Sequence, residues 1–254
     1  LRERLEAGPG RALRFPRDHG AHPGARIEWW YATGWLQDDV GRLLGFQLTF
    51  FRSRTGVAAD LPGRFAPRQL LFAHAAVTDV AARAHLHAQR IARWSGDEAL
   101  SDGHAVRADT RVVLGRWTLV RDPASAAYTA RLPAPADGIA LDLQLAPTQP
   151  LLLQGDAGFS RKGPAPQQAS HYYTQPQLAV RGRLHPGGPV LAGRGWLDHE
   201  WSDELLAPGA VGWDWIGINL FDGSALTAFR LRRRADHPAG PALWAGGSWR
   251  RAGS

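Results

Sequence analysis

Apolar and polar residues alternate along most of this chain with the two-residue period of half-buried β-strands. The clearest runs are Glu28–Leu36, Leu43–Arg52, Gln69–Asp79, Arg111–Val120, Ile139–Pro147, Gln177–Leu184, Val190–Asp198, Trp213–Phe221 and Leu226–Leu231. Turn-forming residues punctuate them at Asp38-Asp39-Val40-Gly41, Asp137-Gly138, Pro186-Gly187-Gly188 and Asp222-Gly223. Many short strands joined by tight turns predict an all-β antiparallel barrel or sandwich.

Three segments depart from this pattern. Ala81–Ile91 is rich in Ala and His and reads either as a helical turn or as a continuation of the strands. Leu1–Leu13 reads as a frayed terminal segment, and Pro147–Pro166 as a long loop interrupted by LLLQG. The closing GGSWRRAGS follows no finished hairpin, and a chain that opens on Leu1 and contains no Met is expected to be a trimmed or partial product.

Gly193–Gly223 concentrates the candidate chemistry, with four Trp, four Asp, two Glu and one His around a single Pro-Gly turn. In an extended strand Trp196, Asp198 and Glu200 share one face, while Leu197, His199 and Trp201 share the other. In the next strand Trp213, Trp215 and Asn219 share a face, opposite Asp214, Ile216, Ile218 and Leu220. A carboxylate in line with aliphatic side chains is either ion-paired or held neutral, so Asp214 is a candidate acid with a raised pKa.

Composition narrows the classes. The 254 residues suffice for one large core or two smaller ones. No Cys is present, which excludes disulfides, thiolate metal sites and a Cys nucleophile. The net charge of +7 comes from scattered arginines, with Lys162 the sole lysine and Arg232–Arg234 the only basic triplet, so no nucleic-acid partner is expected. No apolar run reaches the roughly 20 residues of a membrane-spanning helix. GxSxG, P-loop and GxGxxG motifs are missing, which disfavours serine hydrolases, P-loop enzymes and dinucleotide enzymes.

The remaining motifs each admit two readings. Asp198-His199-Glu200 is either a proton donor beside a water-activating imidazole, or a hydrogen-bonded clamp at a strand end. HE followed by WSDEL lacks the HExxH zinc spacing. His74, His85, His87, His104 and His171 could supply a three-histidine zinc site. His85 and His87 share a strand face at i, i+2, a weak metal spacing that reads more simply as exposed histidines on an edge strand, so no metal is assigned. Glu28-Trp29-Trp30-Tyr31 either lines a pocket for a long apolar ligand or plugs a barrel end. His171-Tyr172-Tyr173 is a similar polar-tipped aromatic cluster.

The segments IEWWYATGWL (27–36), GFQLTFFR (45–52), FAHAAVTD (72–79), HYYTQPQLAVRGRL (171–184), GRGWLDHEWS (193–202) and WDWIGINLFDGSALTAFRLR (213–232) together resemble the lipocalin-like family of carotenoid 1,2-hydratase and the AttH-like proteins. That resemblance implies tandem lipocalin-like antiparallel β-barrels. Residues 1–202 would form the first, and 203–254 the start of an incomplete second. It also implies an apolar ligand near the domain junction and, in the hydratase branch, water addition to a terminal carotenoid double bond.

By the same resemblance His199 and Trp201 match an HxW pair of the hydratase site, and Asp198 matches the acid before it. The hydratase branch carries Asn where this chain has Glu200, which brings the sequence closer to the AttH-like branch and leaves the reaction open.

The resulting expectation is a hydrophobic, isoprenoid- or carotenoid-like ligand, and a possible reaction of the hydratase or isomerase type that needs no cofactor. Asp198 or Asp214 would protonate the alkene, His199 would activate water, and Trp201, Trp213 or Trp215 would face the cation; Glu200 completes the candidate acids. Trp29, Trp30, Tyr31, His171 and Tyr173 complete the pocket. The alternative is a non-catalytic carrier or scaffold of the cell envelope. A periplasmic or envelope location, with membrane association or an envelope transporter as partner, is what the resemblance and the expected trimmed N-terminus suggest.

Overall fold

A computed structural model describes residues 9–57, 61, 66–95, 102–204, 206–233 and 242–253. Residues 1–8 of the segment read as a frayed terminus, and Arg234 of the basic triplet, lie outside the described residues. The strands in chain order are β1 (Ile27–Gln37), β2 (Leu43–Arg54), β3 (Gln69–Asp79), β4 (Ala84–Trp94), β5 (Gly103–Ala105), β6 (Arg111–Leu114), β7 (Trp117–Arg121) and β8 (Tyr128–Ala134). They continue as β9 (Ile139–Ala146), β10 (Leu152–Leu153), β11 (Phe159–Arg161), β12 (Ala169–Arg183), β13 (Leu191–Ser202), β14 (Ala210–Asn219), β15 (Ala225–Arg233) and β16 (Trp244–Arg250). No helix among the described residues is long and apolar enough to cross a membrane.

The strands up to β13 form one antiparallel sheet in the order β4-β3-β2-β1-β13-β12-β9-β8-β7-β6-β5, with β10 and β11 paired to β12. This sheet curls into a nearly closed barrel. Alternation fills its interior: Trp30, Ala32 and Leu36 from β1, Phe46, Leu48 and Phe50 from β2, and Ile139, Leu141, Leu143 and Leu145 from β9 all point inward. The tight β1–β13 contact depends on Gly34, where a Cβ would lie 2.2 Å from the Arg194 carbonyl oxygen.

The segment that read as helix or strand is β4, an edge strand. Most of it is exposed, and only Ala88 and Trp94 are buried. Its arginines and histidines, His85 and His87 among them, face water and discourage edge-to-edge pairing. The expected loop over 147–166 contains β10 and β11.

A second antiparallel sheet, β14-β15-β16, lies beyond Ser202. The outer faces of β12 and β13 pack against it, so β12 buries residues 169–178 without interruption and β13 residues 195–202. A β-bulge between Gln175 and Leu178 accommodates Pro176. It turns Gln177 outward, where its Nε2 donates to the Leu220 and Ser224 carbonyls at 2.9 and 3.1 Å. Asn219 answers from β14 by donating to the Gly195 carbonyl at 2.9 Å.

Candidate functional site

Two clusters lie back to back on β1, β12 and β13. The first is inside the barrel, at the end closed by the segment preceding β1. A 3-10 turn at Arg17–His19 brings Asp18 and His19 over the opening. Gly20 is required beneath it, because a Cβ there would meet the Arg107 carbonyl oxygen at 2.2 Å.

Glu28 centres this inner cluster. Its carboxylate accepts from Arg52 Nε at 2.8 Å, from His22 Nδ1 at 2.8 Å and from His199 Nε2 at 2.9 Å. Burial alone would raise the Glu28 pKa, but Arg52, His22 and the bonds from both histidines hold it well below the usual carboxylate range. His199 Nδ1 then faces the Tyr173 hydroxyl at 3.1 Å, and that hydroxyl meets His19 Nδ1 at 2.8 Å. With Nε2–H given to the carboxylate, Nδ1 of His199 is left to accept from Tyr173. Burial pushes His199 down to about 4, against the pull of Glu28, and His19 down to about 3.

Indoles seal the cluster. Trp30 stacks on His199 with centroids 4.6 Å apart, and Trp201 on His22 at 3.6 Å. Both ring nitrogens of His171 and Nε1 of Trp201 are buried without a partner at normal hydrogen-bond geometry, and burial lowers His171 to about 4. Ligand atoms of His22, Glu28 and His199 lie within 4.8 Å of one another, close enough to hold a metal ion. The Arg52 guanidinium on the same carboxylate opposes a second cation there. None of the histidines considered from sequence spacing, His74, His85, His87, His104 or His171, belongs to this group.

The second cluster faces outward, between the barrel and the small sheet. Trp29, Lys162, Glu200, Trp213, Trp215, Phe229 and Leu231 line a narrow cleft of about 40 Å³ that opens to solvent. Glu200 accepts from Ser170 and pairs with Lys162 Nζ at 2.9 Å. Trp215 donates to the Tyr172 hydroxyl at 3.1 Å and meets Tyr31 edge-on at 5.8 Å. Behind the cleft, Asp198 accepts from Thr174 at 2.6 Å and from Trp196 Nε1 at 2.8 Å. Burial pushes Asp198 up to about 7 despite these bonds, with the nearby Glu200 adding to the rise.

The residues singled out from sequence therefore divide. Trp30, His171, Tyr173, His199 and Trp201 point into the barrel, whereas Trp29, Tyr31, Asp198 and Glu200 point out of it, on the side where Trp213 and Trp215 of the small sheet lie. This corrects the expected division of labour: Asp198 cannot pass a proton while His199 activates water at one alkene, because successive strand residues face opposite sides. Trp201 likewise cannot face the same cation as Trp213 and Trp215.

Asp214 departs from expectation in another way. It lies on the exposed face of β14, paired with Arg230 at 2.7 Å and Arg232 at 3.2 Å. Of the two readings open for this carboxylate, the structure shows the ion pair. Sequence reasoning also passed over Asp18, His22, Arg52 and Lys162 as site residues. The one available signal is that Glu28 shares a strand face with Trp30 and Ala32, where a buried carboxylate demands a cation.

A nearly closed antiparallel barrel with a smaller sheet packed on its outer wall defines a lipocalin-like architecture. The chain belongs to the AttH-like family, whose model matches residues 6–254. The crystal structure of an AttH homologue from Nitrosomonas europaea is 45% identical, with a TM-score of 0.84 over 97% of this chain and 72% of that one. Kievitone hydratase from Nectria haematococca shares the fold at 12% identity, with a TM-score of 0.62 over 88% of this chain and 62% of that one. No curated protein matches the sequence.

Proposed function

We propose that this protein binds a hydrophobic, isoprenoid- or polyene-like molecule in the cleft between the barrel and the small sheet, and that it adds water to, or isomerises, a double bond there by acid catalysis. The observation that carries the reading is an indole-walled cleft beside two buried carboxyls, one of them, Asp198, with a pKa near neutrality. Likeness in fold to a hydratase agrees with it without identifying a substrate.

In this reading protonated Asp198 gives its proton to the alkene carbon. Trp213 and Trp215 stabilise the carbocation, each good contact contributing about 0.5–2 kcal/mol. Water adds, and Glu200 takes the proton that the water loses before it returns to Asp198. His199 has no part in this scheme, because it faces the barrel interior. Incubating the full-length protein with an acyclic carotenoid and measuring a mass gain of one water tests it directly. Loss of that product in Asp198→Asn is the expected result, and product formation unchanged by the substitution would remove the proposed acid.

A non-catalytic carrier is the second reading, favoured by the fact that both carboxyls are already satisfied, Glu200 by Lys162 and Ser170 and Asp198 by Thr174 and Trp196. Retention of the carotenoid without conversion, with binding unchanged in Asp198→Asn, would establish it. An envelope location with a membrane or transporter partner forms part of either reading on the family resemblance alone, and cell fractionation tests it.

A further inference from the structure

The inner end of the cleft carries a charge pair that a pure hydrocarbon guest would leave stranded. Lys162, the sole lysine of the sequence, lines the cleft with a side chain only 6% exposed. Its Nζ lies 2.9 Å from Glu200 Oε1 and 3.1 Å from Ser160 Oγ, which occupies two of its three N–H donors. The rest of the ammonium meets ring faces, with Phe229 at 4.0 Å and Tyr172 at 4.9 Å. These rings attract a cation but offer it no oxygen.

A hydrocarbon laid over this pair would close it off and leave the third N–H of Lys162 without an acceptor, which is costly. A guest with an oxygen acceptor at its leading end would satisfy that donor. An anionic head would be repelled by Glu200, so the acceptor must be neutral.

We infer that Lys162 is a carbonyl-recognition site, and that the cleft takes hydrophobic molecules ending in an aldehyde or ketone whose oxygen accepts from Nζ. The inference rests on the cleft being the ligand site. Its chemical consequence is imine formation with an aldehyde. Glu200 accepts one ammonium proton, and the freed nitrogen lone pair attacks the carbonyl carbon. The carbonyl oxygen leaves as water with two hydrogens from the nitrogen, and the protonated imine keeps Glu200 as counter-ion. Atoms and charge balance without another reactant, and added cyanoborohydride fixes the imine by delivering hydride to its carbon.

The test uses the full-length protein with citral, an acyclic isoprenoid aldehyde, and myrcene, an acyclic hydrocarbon of the same carbon count. Binding is read by tryptophan quenching, and trapping by mass after cyanoborohydride. Citral should bind roughly ten- to a hundredfold more tightly than myrcene. The trapped adduct should weigh the aldehyde less one oxygen and map to the Lys162 peptide. Lys162→Arg should lose that adduct, and Lys162→Met should bring the two affinities together. Equal affinities in the unaltered protein, or label confined to the amino terminus while quenching persists, overturn the inference and leave the cleft reading standing. No quenching by either probe overturns the cleft reading and this inference with it.

Discussion

Glu28 Oε2 accepts from Arg52 Nε at 2.8 Å, and both side chains are sealed inside the barrel. Both terminal nitrogens of Arg52 are also engaged: Nη1 donates to Gln69 Oε1 at 2.7 Å and Nη2 to the Ala25 carbonyl at 2.9 Å. Removing one charge would leave its partner buried without compensation. Glu28→Gln should therefore cost about 3–5 kcal/mol of stability. Urea denaturation of the single variant, and of Glu28→Gln/Arg52→Met, checks this. The double variant should lose less than the two single losses together.

Asp198 imposes a pH dependence of definite sign. Its folded pKa, raised by burial to about 7, lies above the ordinary 3.8. Between those values the folded state binds the extra proton. The contribution to stability is thus complete below about pH 4 and is lost as pH rises through about 7. Against burial, the bonds from Thr174, Trp196 and Tyr172 pull the value down, while the charge of Glu200 adds to the rise. Asp198→Asn should gain up to roughly 4 kcal/mol relative to the unaltered protein between pH 4 and 8. Unfolding midpoints across that range give the measurement.

The interior histidines act in the opposite direction. Burial lowers His199 from 6.5 to about 4, so its contribution is present above about pH 6.5 and is lost as pH falls through 4. His19 and His171, also lowered by burial, reinforce it. Below pH 6 the protein should lose stability, and His199→Gln should shallow that decline. NMR titration of the His199 ring, with its midpoint well under that of a free imidazole, is the check.

Asp214 predicts a near-neutral outcome. Its side chain is 48% exposed beside two half-exposed arginines, and such surface pairs contribute no more than about 1 kcal/mol. Asp214→Asn should change the unfolding midpoint little and leave carotenoid turnover, if present, intact.

Strand alternation made most of the barrel legible. The runs now seen as β1, β2, β3 and β9 stand out because one face is apolar and the other is not. β8 escaped notice because its inward positions include two small alanines and Pro133 interrupts the run. Arg111–Val120 read as one strand, although Gly115, with φ of 58°, folds it into the β6–β7 hairpin. Alternation marks β12 only from Gln177, although the strand begins at Ala169, because Ser170–Gln175 carries polar groups on both faces. Such a pattern looks like loop until a second sheet is known to cover it. The inner cluster was the least legible part. Asp18, His22, Glu28, Arg52 and His199 come from four separate stretches, and only the barrel's closure brings them together.

The doubly covered strands β12 and β13 form a party wall one peptide thick. Tyr172 and Tyr173, or Asp198 and His199, are next-door residues that live in different rooms. A substitution scan along either strand would in effect interleave two unrelated experiments: even-numbered positions report on the cleft side and odd-numbered ones on the sealed interior through β13 and up to the bulge of β12, beyond which Leu178 and Val180 reverse the order.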